Sequence, residues 1–215
     1  MRLINIFLKR LIDVTVATIS LMVAFPIMLL VAVGIKIDSK GPIFFTQTRV
    51  GKDMESFKIF KFRTMAIGAD QVKNGLQVKA GDSRITNFGN FLRKTSLDEL
   101  PQFFNVLKGN ISLVGPRPGL PEQLRYYSDK QKGRLKMKPG ITGLATVKGR
   151  CAIPWSKRIE LDLEYIEYFS VWLDIKIMFK TVFIVLFGKN TYYDHSNGPA
   201  FDLADPDDLP QAGKV

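Results

Sequence analysis

Two residue types that often carry chemistry are almost missing from this chain of 215 residues: it has one cysteine, Cys151, and one histidine, His195. A single cysteine excludes an intrachain disulfide and fits a reducing compartment. Burial preference reads Cys151 as a structural residue rather than a nucleophile. His195 sits in a polar C-terminal tail. A His-based triad and a Cys/His zinc site therefore lack their parts. Acids are also scarce in the body of the chain. From Thr191 onward the tail holds Asp194, Asp202, Asp205, Asp207 and Asp208 against Lys214. Of the chain's 31 bases and 20 acids, this leaves 30 and 15 for the body, so its formal charge is +15 where the whole chain carries +11. A basic body implies anionic partners: nucleic acid, anionic lipid or phosphorylated substrates. Hydrophobic residues make up 46%, which excludes a disordered chain.

Charge is absent altogether from Val14 to Ile35. About 20 apolar residues can cross a bilayer. A cleavable signal peptide would be shorter and would end in small residues, whereas this run ends in Gly34-Ile35-Lys36-Ile37-Asp38. Pro26 lies near its middle and removes a backbone hydrogen bond there. Arg2, Lys9 and Arg10 precede the run, and Lys36 and Lys40 follow it. Positive charge prefers the cytoplasmic side, and here it stands at both ends. The expectation is a re-entrant helix that enters, bends at Phe25-Pro26 and returns. A spanning helix and a buried helix of a soluble core are the alternatives.

Beyond Gly41-Pro42 the pattern changes. Ile43 to Val50 and Ser56 to Phe62 read as a hairpin around Gly51-Lys52-Asp53. Ala66 to Asp82 reads as a loop, and Thr86 to Arg93 as a short helix. Leu97 to Leu107 reads as a helix ended by Gly109. Gly115-Pro116-Arg117-Pro118-Gly119 cannot be regular structure. Glu122 to Lys132 reads as a polar helix, and Lys138 to Gly143 as a turn-rich loop. Arg158 to Phe169 and Val171 to Phe187 read as two helices with Ser170 capping between them. The last holds Trp172, Phe179, Phe183 and Phe187 around much of its circumference, so it suits either a core or a membrane interface. The fold class expected is α+β and mostly helical: a re-entrant membrane helix, a small β-hairpin, and helices lying at the interface. The divisions are an anchor over 1–40, a catalytic domain over 41–190 and an acidic tail over 191–215.

Chemistry concentrates in Arg93-Lys94-Thr95-Ser96-Leu97-Asp98-Glu99-Leu100-Pro101-Gln102. Pro101 is tolerated in the first turn of a helix, which puts Asp98 and Glu99 at its start. The pair could be structural: Asp98 a plain cap, or Ser96 and Glu99 a capping box. Against that stand Arg93 and Lys94 before the pair, and Arg117 on a proline-clamped loop. A guanidinium held there can grip a phosphate bidentately. Adjacent carboxylates project about 100° apart on a helix. One can face phosphorus while the other holds a metal ion. A carboxylate also needs no general base to attack at neutral pH.

Five segments together resemble the bacterial sugar transferase family, the monotopic phosphoglycosyl transferases. They are Phe57-Lys58-Ile59-Phe60-Lys61-Phe62-Arg63-Thr64-Met65, Ser96 to Gln102, Asn105-Val106-Leu107-Lys108-Gly109, Leu113-Val114-Gly115-Pro116-Arg117-Pro118 and Lys138-Pro139-Gly140-Ile141-Thr142-Gly143-Leu144. The likeness runs from about Lys9 to Phe187 and is to the small members. It implies a helix broken near Pro26, with one departure: Phe25 stands where some members carry Ser. It implies a ping-pong reaction. Asp98 is the nucleophile and Glu99 lies near an essential Mg²⁺. A UDP-sugar gives up UMP, and polyprenyl (undecaprenyl) phosphate takes the phospho-sugar. Lys61, Arg63, Arg93, Arg117, Thr142 and Arg150 are the candidates for substrate binding. The implied sugar is an N-acetylated amino sugar, with a plain hexose open. The implied setting is the bacterial cytoplasmic membrane, with the catalytic domain on the cytoplasmic face and the lipid bilayer as partner. A homodimer is left open. Two rivals remain. One is direct transfer in a ternary complex. The other is a membrane-anchored nucleic-acid-binding module, which lacks a recognition helix or RNA-binding aromatic motif, so no nucleic acid is expected.

Overall fold

An uncharged run as long as Val14 to Ile35 has no reason to leave a helix except at Pro26 and Gly34. In the computed structural model, which describes residues 2–68, 82–149, 153–187 and 202–203, helix α1 runs from Arg2 to Asp38 with Pro26 inside it. Its 37 residues extend about 55 Å at 1.5 Å per residue. A hairpin follows, β1 (Phe44–Val50) and β2 (Ser56–Phe62), joined by a 3₁₀ turn. Next come α2 (Asn87–Thr95), a 3₁₀ turn over Leu97–Glu99, α3 (Gln102–Lys108) and β3 (Ser112–Val114). After 3₁₀ turns around α4 (Asp129–Lys132), the chain forms β4 (Gly140–Thr142) and α5 (Leu144–Gly149). It then closes with α6 (Trp155–Glu167) and α7 (Val171–Phe187). The expected hairpin and mostly helical α+β class are both found.

Helix α1 is inverted relative to a helix on a water-soluble protein. It buries Lys9, Asp13, Ala17, Ala24, Met28, Val31 and Ile35, at spacings that keep one face aligned. Its outward residues include Phe7, Met22, Val23, Phe25, Leu30 and Ile37, all exposed. The charged Lys9 and Asp13 point in with the aliphatic inner face, while large apolar groups point out over an area far beyond scattered surface leucines. By length and composition α1 is able to cross a membrane. Yet its first half joins a core with Val106, Ile111, Val114, Tyr165 and Ile177. Its second half joins another with Phe62 and Leu92.

Both ends of α1 are tied to that same body. The Lys9 ammonium donates to the Val114 carbonyl and pairs with Asp174 on α7, each at 2.7 Å. Asp13 accepts from the Ser112 hydroxyl and the Leu113 amide. Arg10 donates to the Val106 and Leu107 carbonyls at the end of α3. At the far end, the Asp38 carboxylate accepts from the Phe88 amide of α2 at 3.4 Å. Helix α7 repeats the inversion in milder form: it buries Asp174 and Ile177 and exposes Trp172, Phe179, Phe183 and Phe187.

Several local expectations change. The helix read from Leu97 to Leu107 is a 3₁₀ turn followed by a separate α3, whose N-cap is Pro101. Ser96 turns left-handed at φ 58° and makes no side-chain cap, so neither capping arrangement forms. Gly109 does end α3, at φ 82°, where glycine has no Cβ penalty. The polar helix read over Glu122–Lys132 is broken at Tyr127 and Ser128, which are extended. Burial of Tyr127 against Arg134 turns the chain there. The loop read over Lys138–Gly143 contains β4, which pairs in parallel with β3 through Ser112↔Gly140 and Val114↔Thr142. Any Cβ on Gly140 would lie 2.2 Å from the Gly115 amide. Helix α6 begins at Trp155, earlier than Arg158. Ser170 caps α7, its hydroxyl accepting from the Leu173 amide at 3.2 Å. Near its start, α6 is also met by the tail: the Asp202 carboxylate accepts from the Ser156 amide at 2.8 Å. Cys151, His195 and most of the Ala66–Asp82 loop lie outside the described residues.

The ion pair of Lys9 and Asp174 is buried on both sides. Removing one partner of such a pair leaves an uncompensated charge and costs about 3–5 kcal/mol. Lys9→Ala is expected to lower the melting temperature in detergent by roughly 6–20 °C, at ~2–4 °C per kcal/mol. Adding Asp174→Asn should recover part of that loss. A single variant that melts like the parent would show that α1 is not held by this contact.

Candidate active site

The site begins with the hairpin's register. Pairing of Phe45 with Lys61, Gln47 with Ile59 and Arg49 with Phe57 puts Lys61 and Arg49 on one face. That face is turned inward. On α3, Asn105 is fully buried. It accepts from the Phe60 amide at 2.9 Å and donates to the Lys58 carbonyl at 2.8 Å. One amide thus locks β2 to α3 beside Lys61, and the Lys61 ammonium reaches Glu99 at 2.6 Å.

Asp98 and Glu99 lie on the 3₁₀ turn that leads into α3. They are adjacent in sequence but differ in environment. Asp98 is 9% exposed. Burial pushes its carboxyl up to about 6, against the pull of Lys61 and Arg93, and the neighbouring Glu99 charge adds to the rise. Burial also works to raise Glu99. It is outweighed by the charges of Lys61 and Arg117 and by hydrogen bonds from Lys61 and Gln102, which hold Glu99 well below the usual range. One carboxylate is therefore locked in its ionised form, and the other is buried, more basic and still ionised at neutral pH.

Arg117 is held on Gly115-Pro116-Arg117-Pro118-Gly119, whose backbone is tied along its length. The Gly115 amide donates to the Thr142 carbonyl, and the Pro116 carbonyl accepts from the Gly140 amide. The Gly119 carbonyl accepts from the Val50 amide at 3.0 Å. Arg49, next to Val50, is lowered to about 10 by burial and by the Arg117 charge, with Glu122 and Glu99 acting the other way. Two guanidiniums whose charges act on each other without enough anions to offset them favour an added anion.

The sequence-chosen residues divide accordingly. Asp98, Glu99, Lys61, Arg93 and Arg117 come together. Arg93 also donates to the Thr64 hydroxyl at 2.8 Å. Arg63 does not join them: it is buried, and its guanidinium donates to the Ser39 and Lys40 carbonyls just past α1. The reason is that a helix end presents unpaired carbonyls, which a buried guanidinium satisfies. These bonds fix the end of α1 to β2, apart from the dyad. The Thr142 hydroxyl is engaged with Thr181 on α7 at 2.6 Å, so Thr142 serves as a link between β4 and α7. Arg150 lies outside the described residues. Sequence reasoning misses Arg49 and Gln102. The period-two alternation of β1 and β2 puts Arg49 on Lys61's face once the pairing register is followed.

Among the described residues, no third acidic, His or Cys side chain gathers with the dyad. The donor set is oxygen only, and one carboxylate is fixed as an anion. That suits a hard ion such as Mg²⁺, which takes one or two carboxylates and leaves its other positions to water and substrate phosphates.

The site gathers two carboxylates and four basic side chains, an arrangement able to take up a further anion. The chain belongs to the bacterial sugar transferase family, whose profile matches residues 4–188. It is 45% identical over 197 residues to UDP-glucose:undecaprenyl-phosphate glucose-1-phosphate transferase of Klebsiella pneumoniae, covering 88% of this chain and 42% of that one. It is 43% identical to UDP-N-acetylgalactosamine-undecaprenyl-phosphate N-acetylgalactosaminephosphotransferase of Aeromonas hydrophila, covering 85% and 44%. A relative of similar length is the uncharacterized sugar transferase EpsL of Bacillus subtilis, 45% identical with 83% and 87% covered. The first two relatives are more than twice as long, and this chain spans about two-fifths of their length.

The two carboxylates should respond oppositely to neutralisation. Asp98 has a folded value raised above the ordinary one, so stability falls as pH rises from about 4 through about 6. Glu99 is depressed, so its stability is present above its ordinary value and lost in acid. At pH 7.5, Asp98→Asn is expected to raise the melting temperature and Glu99→Gln to lower it. The Asp98→Asn gain should vanish near pH 4. Equal shifts of one sign in thermal melts would show that the two environments are not distinct.

Proposed function

We propose that the chain transfers a phospho-sugar from a UDP-sugar to polyprenyl phosphate at a membrane surface, in two steps through Asp98. The observation that carries the reading is the charge imbalance of the site. Arg49, Lys61, Arg93 and Arg117 act on two carboxylates, one of them buried and basic. A diphosphate supplies the missing negative charge. The relatives named for UDP-sugar:undecaprenyl-phosphate transfer support the same substrates.

In the first step an Asp98 oxygen attacks the sugar-bearing phosphorus. The bond to the bridging oxygen breaks, and UMP leaves with that oxygen. An aspartyl phospho-sugar remains. In the second step an oxygen of polyprenyl phosphate attacks the same phosphorus, forms the diphosphate and returns the Asp98 carboxylate. A raised carboxyl is a stronger nucleophile than an ordinary aspartate, yet is mostly ionised at pH 7.5. Arg117 and Lys61 neutralise the phosphate oxygens that would repel it. A Mg²⁺ held by Glu99 would add charge neutralisation on the diphosphate.

The membrane reading rests on α1. Lys9 and Arg10 are bound to the body near one end of α1, and near the other Asp38 and the Ser39 and Lys40 carbonyls are met by Phe88 and Arg63, so both ends have partners on the same body. That supports a helix inserted from a single face, with Phe25 and Pro26 at its deepest part and the catalytic residues in the cytoplasm. The exposed aromatic face of α7 would rest in the interface. An N-terminal cysteine should stay unlabelled by an impermeant reagent added to intact cells. External labelling would mean that α1 spans.

The reaction is tested by mixing the protein with Mg²⁺ and a panel of UDP-sugars, without lipid. The panel includes N-acetylated amino sugars, our first choice, and plain hexoses, since relatives are named for both. The expected outcome with the correct donor is a burst of at most one UMP per chain, and added phospho-sugar mass on Asp98 by rapid-quench mass spectrometry. Polyprenyl phosphate should discharge it. Asp98→Asn should abolish adduct and turnover, and EDTA should abolish turnover. Normal turnover with no adduct and no burst would replace the two-step route by direct transfer in a ternary complex.

A further inference from the structure

The Arg117 loop is tied by backbone hydrogen bonds at Gly115, Pro116 and Gly119, but those leave the peptides on either side of Arg117 itself to be oriented. Pro118 restricts Arg117 to extended conformations without choosing one. The choice is made from beneath. Arg134 and Asp162 are each 1% exposed. The Arg134 Nε donates to Asp162 at 3.0 Å, and its Nη2 donates both to Asp162 and to the Arg117 carbonyl, the latter at 2.7 Å. The pair thus holds the Arg117 peptide by its carbonyl.

A third residue completes the arrangement. Nη1 of Arg134 donates to the Tyr127 hydroxyl at 2.9 Å, and Trp155 Nε1 donates to the same oxygen at 3.1 Å. The Arg134 guanidinium lies over the Tyr127 and Trp155 rings, 5.5 and 5.2 Å from their centres. The Tyr127 oxygen also closes on Gly119, where an added Cβ would come within 2.9 Å of it.

A buried ion pair is poor value for stability alone. Hydrophobic residues of similar volume often serve as well or better, because two charges must be taken out of water. What the charges supply here is direction, since a guanidinium fork held by a carboxylate fixes the peptide it touches. We propose that Arg134 and Asp162, with Tyr127, are positioning residues that set the aim of the Arg117 guanidinium at the dyad. The proposal rests on Arg117 being the phosphate ligand of the reaction above.

The test is a double-mutant cycle in the full-length protein, read as kcat/KM by radiolabelled UMP release and as the Kd for UDP. Arg134→Lys keeps the charge but cannot hold Asp162, Tyr127 and the Arg117 carbonyl at once. It is expected to lower kcat/KM by about 10–100-fold and weaken UDP binding, with the loss shrinking to under about twofold once Arg117→Ala is present. Tyr127→Phe, which removes one oxygen and keeps the ring, should lose about 3–10-fold and behave the same way. If Arg134→Lys does not fold, the Tyr127→Phe cycle decides alone. Equal losses with and without Arg117 would overturn the positioning role while leaving Arg117 as a ligand. Wild-type kinetics and UDP affinity in Arg117→Ala would overturn both.

Discussion

The contact between Lys61 and Glu99 ties together parts of the chain that are otherwise independent. It joins the hairpin to the acidic turn, and it gives Glu99 a charge that burial alone would remove. With Glu99 held as an anion, the adjacent Asp98 feels a like charge as well as its own burial, and its carboxyl rises. Lys61 can do this only because Asn105 pins the backbone of β2 at Lys58 and Phe60. The electrostatic difference between the two acids is therefore built by a neutral amide on the next helix. A fold that let β2 slide by one residue would point Lys61 away, since successive strand residues face opposite sides.

The same site is short of negative charge in a way its own residues do not repair. Arg49 and Arg117 repel each other, and Glu122, which acts on Arg49, is exposed at the rim. Stability alone would not gather them. Such an arrangement is sustained when the rest of the fold over-determines it. The loop of Arg117 meets that condition, because its backbone is tied to β4, to Val50 and to the Arg134–Asp162 pair.

Much of this architecture is legible in the amino-acid sequence. The hairpin, the short helix after Thr86, the Gly109 stop and the Ser170 cap follow from turn and cap chemistry within a few residues of each event. Asp98, Glu99, Lys61, Arg93 and Arg117 can be chosen because their charges are crowded around prolines or lie within motifs. What cannot be read there depends on distant partners. Arg63 stands in the same motif as Lys61, but only the position of the end of α1 decides that its guanidinium satisfies carbonyls. Tyr127 interrupts an otherwise helical polar segment because Arg134 and Trp155 give its hydroxyl a place inside. Strand β4 is three residues long and exists only because β3 lies beside it. A three-residue strand has no periodicity to detect.

The inverted surface explains why buried polar contacts carry so much of the tertiary order. A protein in water chooses its fold partly by which faces are apolar, since those faces must be hidden. On α1 and α7 that rule loses force, because apolar residues stand on the outside as well as the inside. Against lipid, an apolar contact with the protein gains little over one with an acyl chain. Rotation of α1 about its axis would then be nearly free if its inner face were only aliphatic. Lys9 and Asp13 remove that freedom: they reach the Val114 carbonyl, Asp174, the Ser112 hydroxyl and the Leu113 amide, partners that exist at one rotation and one depth. Three of those partners lie on β3, immediately before the loop that carries Arg117, and the fourth lies on α7. The groups that orient the apolar helix are thus joined directly to the strand that leads into the Arg117 loop. On the proposed function, the depth of α1 and the height of Asp98 and Glu99 above the acyl chains are consequently one structural variable rather than two.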